Sequence, residues 1–100
     1  MLWDVPTVVE SDFEWDADKA DANEAKHGVA FDEALDVFDD PSAVVIDDGS
    51  GSGVLLAIGH SSRGRLLAVV HIERGERVRI VSARPATRHE LRIYTEGQPT

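Results

Sequence analysis

Three apolar segments separated by very short polar turns restrict this chain more than any other feature. Val54 to His60, Arg65 to Ile72 and Arg77 to Ala83 are joined by Ser-Ser-Arg-Gly and by Glu73 to Glu76. Such short links make consecutive strands antiparallel, because a parallel return needs a crossover of a dozen or more residues. A fourth strand, Ala43 to Ile46, precedes them across the turn Asp47 to Gly53, DDGSGSG. Val54–Ile58 and Leu66–Val70 are nearly unbroken apolar runs, which predicts central strands covered on at least one face by helices.

The covering helices are expected upstream. Asp16 is a good N-cap, Ala17 to His27 is rich in alanine and free of Gly and Pro, and Gly28 stands where a helix terminates. Lys19, Asn23 and Lys26 then share one face. Phe31 to Asp39 is expected as a second helix with Phe31, Ala34, Leu35 and Phe38 as its apolar stripe, stopped by Pro41. Thr87 and Glu90 fit a capping box for a last helix over roughly 88–95, ended by Gly97. The expected fold is therefore α+β, with two N-terminal helices, a four-stranded antiparallel sheet and a C-terminal helix. Residues 1–12, with Trp3, Val5, Val8 and Val9 interrupted by Pro6, form an N-terminal extension that is either a frayed tail or a short edge strand.

Charge separates the two halves. Residues 1–50 hold two lysines and 15 acids, whereas residues 51–100 hold eight arginines and four acids, for a net charge of −9 over the 100 residues. Seven of the eight arginines lie between Arg65 and Gly97. An acidic half and a basic half predict a dipolar surface whose basic side can meet a polyanion. The chain has no cysteine, which removes disulfides and thiolate metal sites. No apolar run nears the ~20 residues that span a bilayer. MLWDVPTVVESD lacks the basic leader and apolar core of a signal peptide, so the expected location is the cytoplasm.

Among the polar residues, Arg77 and Arg79 alternate onto one strand face and Arg84 and Arg88 follow at the corner into the last helix. Guanidinium forks match phosphate oxygens and stay charged at any physiological pH, so several on one patch suit an RNA backbone and a pentavalent phosphate. The plainer alternative is that they form surface ion pairs with the many carboxylates. Glu90 and Tyr94, four apart, share a helix face; one can accept a 2′-hydroxyl proton and the other can donate or stack. The plainer alternatives are a capping Glu90 and a Tyr94 ring packed on the sheet. Lys26 and His27 close the first helix, where a histidine can move protons and where both also balance the helix dipole. His60, His71 and His89 have no metal-site spacing, so no metal and no other cofactor is expected. No phosphate-binding glycine loop or GxSxG motif occurs.

The ordered set Phe13-Glu14-Trp15-Asp16, Lys19, Asn23, Lys26-His27-Gly28-Val29, Phe31, Glu33-Ala34 and Val37-Phe38-x-Asp40-Pro41 resembles the BrnT toxin family. So do Ile58-Gly59-x-Ser61, Gly64-Arg65-x-Leu67, Arg79-Ile80-x-Ser82-Ala83-Arg84, Ala86-Thr87-Arg88-x-Glu90 and Tyr94. The similarity covers residues 13–97, leaving 1–12 as an extension and 98–100 as a tail. It implies a RelE-like fold and a metal-independent endoribonuclease that inhibits translation. It also implies a BrnA-like antitoxin that neutralises the toxin and brings DNA into play only indirectly, with no membrane role. Either a homodimer or a heterotetramer with the antitoxin is compatible with it. Of the family's polar pattern, Lys26, His27, Arg79, Arg84, Arg88, Glu90 and Tyr94 are retained. We assign Arg79, Arg84 and Arg88 to the phosphate and transition state, His27 or Glu90 to protons, Tyr94 to the nucleotide, and Lys26, Arg77 and Arg92 to RNA binding.

Three departures separate this chain from that pattern. Asp47 to Gly53 is short where the family usually has a longer charged hairpin. Gly53-Val54 replaces a common Glu-Arg pair. Leu91 and Ile93 occupy helix positions that are often basic. They admit an alternative, a catalytically weak homologue that serves as an antitoxin-binding module. A scaffold with no nucleic-acid role is a third reading.

Overall fold

The structure, a computed structural model, describes residues 6–47 and 49–98. Trp3 and Val5 of the N-terminal apolar cluster, Asp48 of the turn, and Pro99 and Thr100 of the tail lie outside the described residues.

The elements run β1 Thr7–Glu10, β2 Phe13–Asp16, α1 Ala17–His27, α2 Phe31–Ala34, a 3-10 helix Leu35–Asp39, β3 Val44–Asp47, β4 Val54–His60, β5 Leu66–Arg74, β6 Arg77–Pro85 and α3 Arg88–Glu96. The class is α+β as expected. The sheet, however, has six strands in the order β1-β2-β6-β5-β4-β3 and is mixed. β3 to β6 form the expected antiparallel meander. The additions are the β1–β2 hairpin and the parallel pairing of β2 with β6, Phe13 opposite Val78 and Glu14 opposite Arg79. Four-residue strands are too short to show a period, and their partner lies at the far end of the sequence. Of the two readings of residues 1–12, the edge strand holds for Thr7–Glu10, turned back through Ser11 at φ 57°.

The two expected N-terminal helices also change. Two strands precede them, and the second is α-helical for only four residues before it tightens to 3-10. Ala30 supplies no capping side chain. At three residues per turn, positions i and i+3 eclipse, which stacks Leu35 and Phe38 toward the sheet. The Phe38 ring lies 5.0 Å from those of Phe13 and His71. Asp36 and Asp40 are drawn away to cap the β4–β5 turn and the β3 approach, as Ser62 donates its backbone N–H to Asp36 Oδ2 at 3.0 Å and Ser42 its own to Asp40 Oδ1 at 2.9 Å.

α1 starts and stops as its sequence requires. Asp16 Oδ1 accepts from the N–H groups of Asp18 and Lys19 at 2.8 and 3.2 Å, and Gly28 closes the helix at φ 71°, a conformation costly for any residue with a Cβ. The core fills the inner face of the sheet, where Trp15, Val29, Phe31, Ala34, Val37, Ala57, Leu67, Val69, Ile80 and Ala83 are all buried. Gly59 lets the helix approach closely there: a Cβ would stand 3.0 Å from Val37 and 3.1 Å from Ala43, tighter than ordinary contact.

Candidate functional site

β6 carries the sequence-predicted arginines, and its register decides where they point. Arg74 pairs with Arg77, Ile72 with Arg79 and His71 with Ile80, but Val70 pairs with Ser82, so Val81 is an extra residue in a bulge. Without the bulge, strand alternation would put Arg84 on the face opposite Arg79. With it, Arg77, Arg79, Ser82 and Arg84 all lie on the outer face, while Ile80 and Ala83 stay in the core.

Two of these arginines are held by carboxylates. Arg79 Nη1 donates to Glu14 Oε2 at 2.7 Å, across the parallel strand pair. Arg84 makes a fork to Glu90, with Nη1 to Oε1 at 2.6 Å and Nη2 to Oε2 at 2.7 Å. Glu90 is buried and completes the α3 capping box, in which Thr87 N–H donates to Glu90 Oε1 at 2.9 Å and Glu90 N–H to Thr87 Oγ1 at 3.1 Å. The Arg84 hydrogen bonds outweigh burial and hold the Glu90 carboxyl down to about 2, and the same contact raises Arg84. A carboxylate that gives up its proton so readily is a weak base, so this geometry favours the capping and orienting role for Glu90. Arg77, Arg88 and Arg92 are exposed and their guanidiniums have no acid partner among the described residues.

Lys26 and His27 reach the same neighbourhood from α1. Together with Lys19, Asn23, Val81 and Ser82 they line an open groove of about 230 Å³ between the end of α1 and the bulge of β6. The junction depends on Asn23, which sequence reading placed on a polar helix face and which is buried. Its amide donates to the carbonyls of Ala83 at 2.8 Å and Val29 at 3.0 Å, and its Oδ1 accepts the Ala83 N–H at 3.1 Å. β2 pairs with β6 only as far as Arg79, so one side chain replaces the missing strand at Ala83.

Tyr94 is not brought to this groove. Its hydroxyl donates to Asp40 Oδ2 at 2.9 Å and lies 3.2 Å from His60 Nδ1, with the two rings edge to face at 5.1 Å. Burial, and then the Asp40 carboxylate, push the Tyr94 hydroxyl up. Burial would raise Asp40 as well, but the amides of His60 and Ser42 bring it below its usual range. The cluster fastens the far end of α3 to the end of β4.

Another polar centre was not singled out from the sequence as a site. Glu33, buried in α2, accepts from Ser61 Oγ at 2.7 Å, from Arg65 Nε at 2.9 Å and from Arg65 Nη2 at 2.5 Å. Arg65 Nη2 also donates to the Gly28 carbonyl at 2.9 Å. The Arg65 hydrogen bonds hold Glu33 below its usual range. A lone Glu beside Phe31 and Ala34, with an arginine opening the Arg65 to Ile72 segment, is the sequence signal for such a strut. Among the described residues, no group of three or more His, Asp or Glu is placed to hold a metal ion, and no helix is long and apolar enough to cross a membrane.

Comparison with known proteins agrees with this architecture. Residues 15–90 match the family model described as "Ribonuclease toxin, BrnT, of type II toxin-antitoxin system". The crystal structure of the Brucella abortus ribonuclease toxin BrnT aligns with a TM-score of 0.61 and 28% sequence identity, covering 74% of this chain and 94% of that one. No curated protein matches. With three quarters of its length inside the family model and a solved member sharing its fold, the chain belongs to the BrnT family of ribonuclease toxins of type II toxin–antitoxin systems.

Proposed function

We propose that this chain is a cytoplasmic, metal-independent endoribonuclease that inhibits translation by cutting RNA and is neutralised by a BrnA-like antitoxin. Residues 13–97 form its RelE-like toxin domain. One observation carries the reading: in a chain of this family, the Lys26–His27 end of α1 opens onto Ser82, in the row that holds Arg79 and Arg84. His27 takes the proton from a 2′-hydroxyl, whose oxygen attacks the adjoining phosphorus. The phosphorus–5′-oxygen bond breaks, the leaving oxygen takes a proton from water, and a 2′,3′-cyclic phosphate remains. Arg79, Arg84 and Arg88 balance charge on the pentavalent phosphate, while Lys26, Arg77 and Arg92 hold flanking phosphates. Glu90 acts through Arg84, and Tyr94 positions α3 and the nucleotide beyond it.

The test is growth and total translation after induced expression, with purified protein assayed on RNA in the presence of a chelator. His27→Ala and Arg88→Ala are the informative variants, because Arg79 and Arg84 also hold the fold together. Loss of a positioned base is expected to slow cleavage ~10²–10⁴-fold and relieve arrest. Arrest by both variants at wild-type levels would move the site elsewhere.

A second reading, an antitoxin-binding module with little cleavage, draws on the acid partners of Arg79 and Arg84 and on Gly53-Val54, which bring no cation to the start of β4. It expects no arrest by the wild type and an intact antitoxin complex.

A further inference from the structure

The outer face of the sheet is only partly covered. α3 crosses one end, where Ile58 and Ala68 are fully buried and Arg84 meets Glu90. From Val44, which lies against the α3 C-cap Gly97, the face continues past the helix: register puts Val44 and Ile46 of β3, Val54 and Leu56 of β4, and Val70 and Ile72 of β5 side by side. All six are only half-buried. They form an aliphatic patch three strands wide, roughly 10 Å across the strands. The next strand carries no aliphatic residue in register with them. Ile72 faces Arg79 and Val70 faces Ser82, and the exposed pair Arg74 and Arg77 extends the cationic row to the hairpin tip.

We infer that this outer face is the docking surface for an acidic amphipathic segment of a protein partner, its apolar stripe on β3–β5 and its carboxylates on the β6 arginines. The inference rests on the toxin reading and identifies the partner as the antitoxin. Charge complementarity selects the occupant. Phosphates alone would use the arginine row and leave six aliphatic side chains wet, whereas an amphipathic segment uses both. A second copy fits poorly: a two-fold stack of these faces about an axis across the strands sets arginine row against arginine row, and α1, an acidic helix, has no apolar stripe to offer. A helix about 10 Å in diameter spans the patch with its acidic flank one strand spacing away, over β6. Docked there, it covers Arg79 and blocks the approach of RNA phosphates.

The test uses the full chain and its purified cognate antitoxin. Affinity is measured for the wild type, Leu56→Glu, the milder Leu56→Ala, and Val45→Glu. Val45 is half exposed and is offset by one residue onto the other face of the edge strand. Leu56→Glu is expected to weaken the complex ~30-fold or more, with a smaller loss for Leu56→Ala and none for Val45→Glu. Growth arrest in the absence of antitoxin should persist in all three. Amide exchange on the wild-type complex, which needs no variant to fold, should slow in β4 and β5. Equal affinity for Leu56→Glu and wild type, with no slowing in β4 and β5, would place the antitoxin elsewhere and leave the toxin reading intact. Loss of RNA binding by Leu56→Glu with antitoxin binding retained would make the face a nucleic-acid surface and overturn the inference. A wild type that neither arrests growth nor binds the antitoxin would overturn the toxin reading and this one with it.

Discussion

The two faces of the sheet are made by the same strands and end in opposite conditions. On the inner face Leu67, Val69 and Ile80 are closed over by Phe31 and Val37, and the polar atoms that intrude are matched: Asn23 by Ala83 and Val29, Glu33 by Arg65 and Ser61. On the outer face an aliphatic patch lies beside a row of arginines, covered among the described residues by α3 at one end. The inner face is finished by its own chain; the outer face is left for something else to finish. A single extra residue, Val81, divides them so cleanly, because the bulge keeps Ile80 and Ala83 inside while Arg79 and Arg84 remain outside.

Substitutions on the inner face should therefore reach stability first. Phe31→Ala removes a ring that is 2% exposed and packs edge to face on Trp15 at 5.9 Å, and should cost about 3–5 kcal/mol in denaturant unfolding.

Arg84→Ala tests whether the outer face is as dispensable to the fold as its openness implies. It strips the cation from buried Glu90. The expected loss is about 2–3 kcal/mol, reduced from the fully buried case because 32% of the Arg84 side chain is wetted. The sign with pH follows from Glu90. Its folded pKa of about 2 lies below the ordinary 4.5, so between those values the unfolded chain binds a proton and the folded chain does not. The stability that Glu90 contributes is complete above pH 4.5 and drains as pH falls toward about 2. In the variant that slope should flatten, as melting temperatures across the range would reveal.

The smallest effect belongs to His71, buried on the inner face under Phe38. Burial pushes its pKa below the ordinary 6.5, so the unfolded chain protonates first and stability declines as pH falls below that value. His71→Phe should abolish this shallow slope and leave the Glu90 region unchanged. A slope that survives the substitution would assign it to another group.

Much of the inner face was legible in the sequence. The Asp16 cap, Gly28, the capping box of Thr87 and Glu90 and the β3–β6 meander are local patterns, and local patterns can be read without knowing the fold. What stayed hidden was set by distance along the chain or by a change of count. The β1–β2 hairpin and its parallel neighbour are four-residue strands with no period to display. Asn23 looks like part of a solvated face until the end of β2 exposes the edge of β6. The arginines stand out in the sequence as a group, but the bulge that aims them and the carboxylates that hold Arg79 and Arg84 do not. Helix spacing groups Tyr94 with Glu90, yet its hydroxyl answers to Asp40 at the other end of α3.

The parallel pairing of β2 with β6 has a consequence in time. Glu14 and Arg79 are 65 residues apart, and synthesis proceeds from the N-terminus at about 5–20 residues per second. β2 therefore waits roughly 3–13 s after it is made before its partner strand exists. Until then Arg79 has no fixed orientation and the cationic row is incomplete. The face that carries the arginine row is therefore among the last parts of the molecule to come into being.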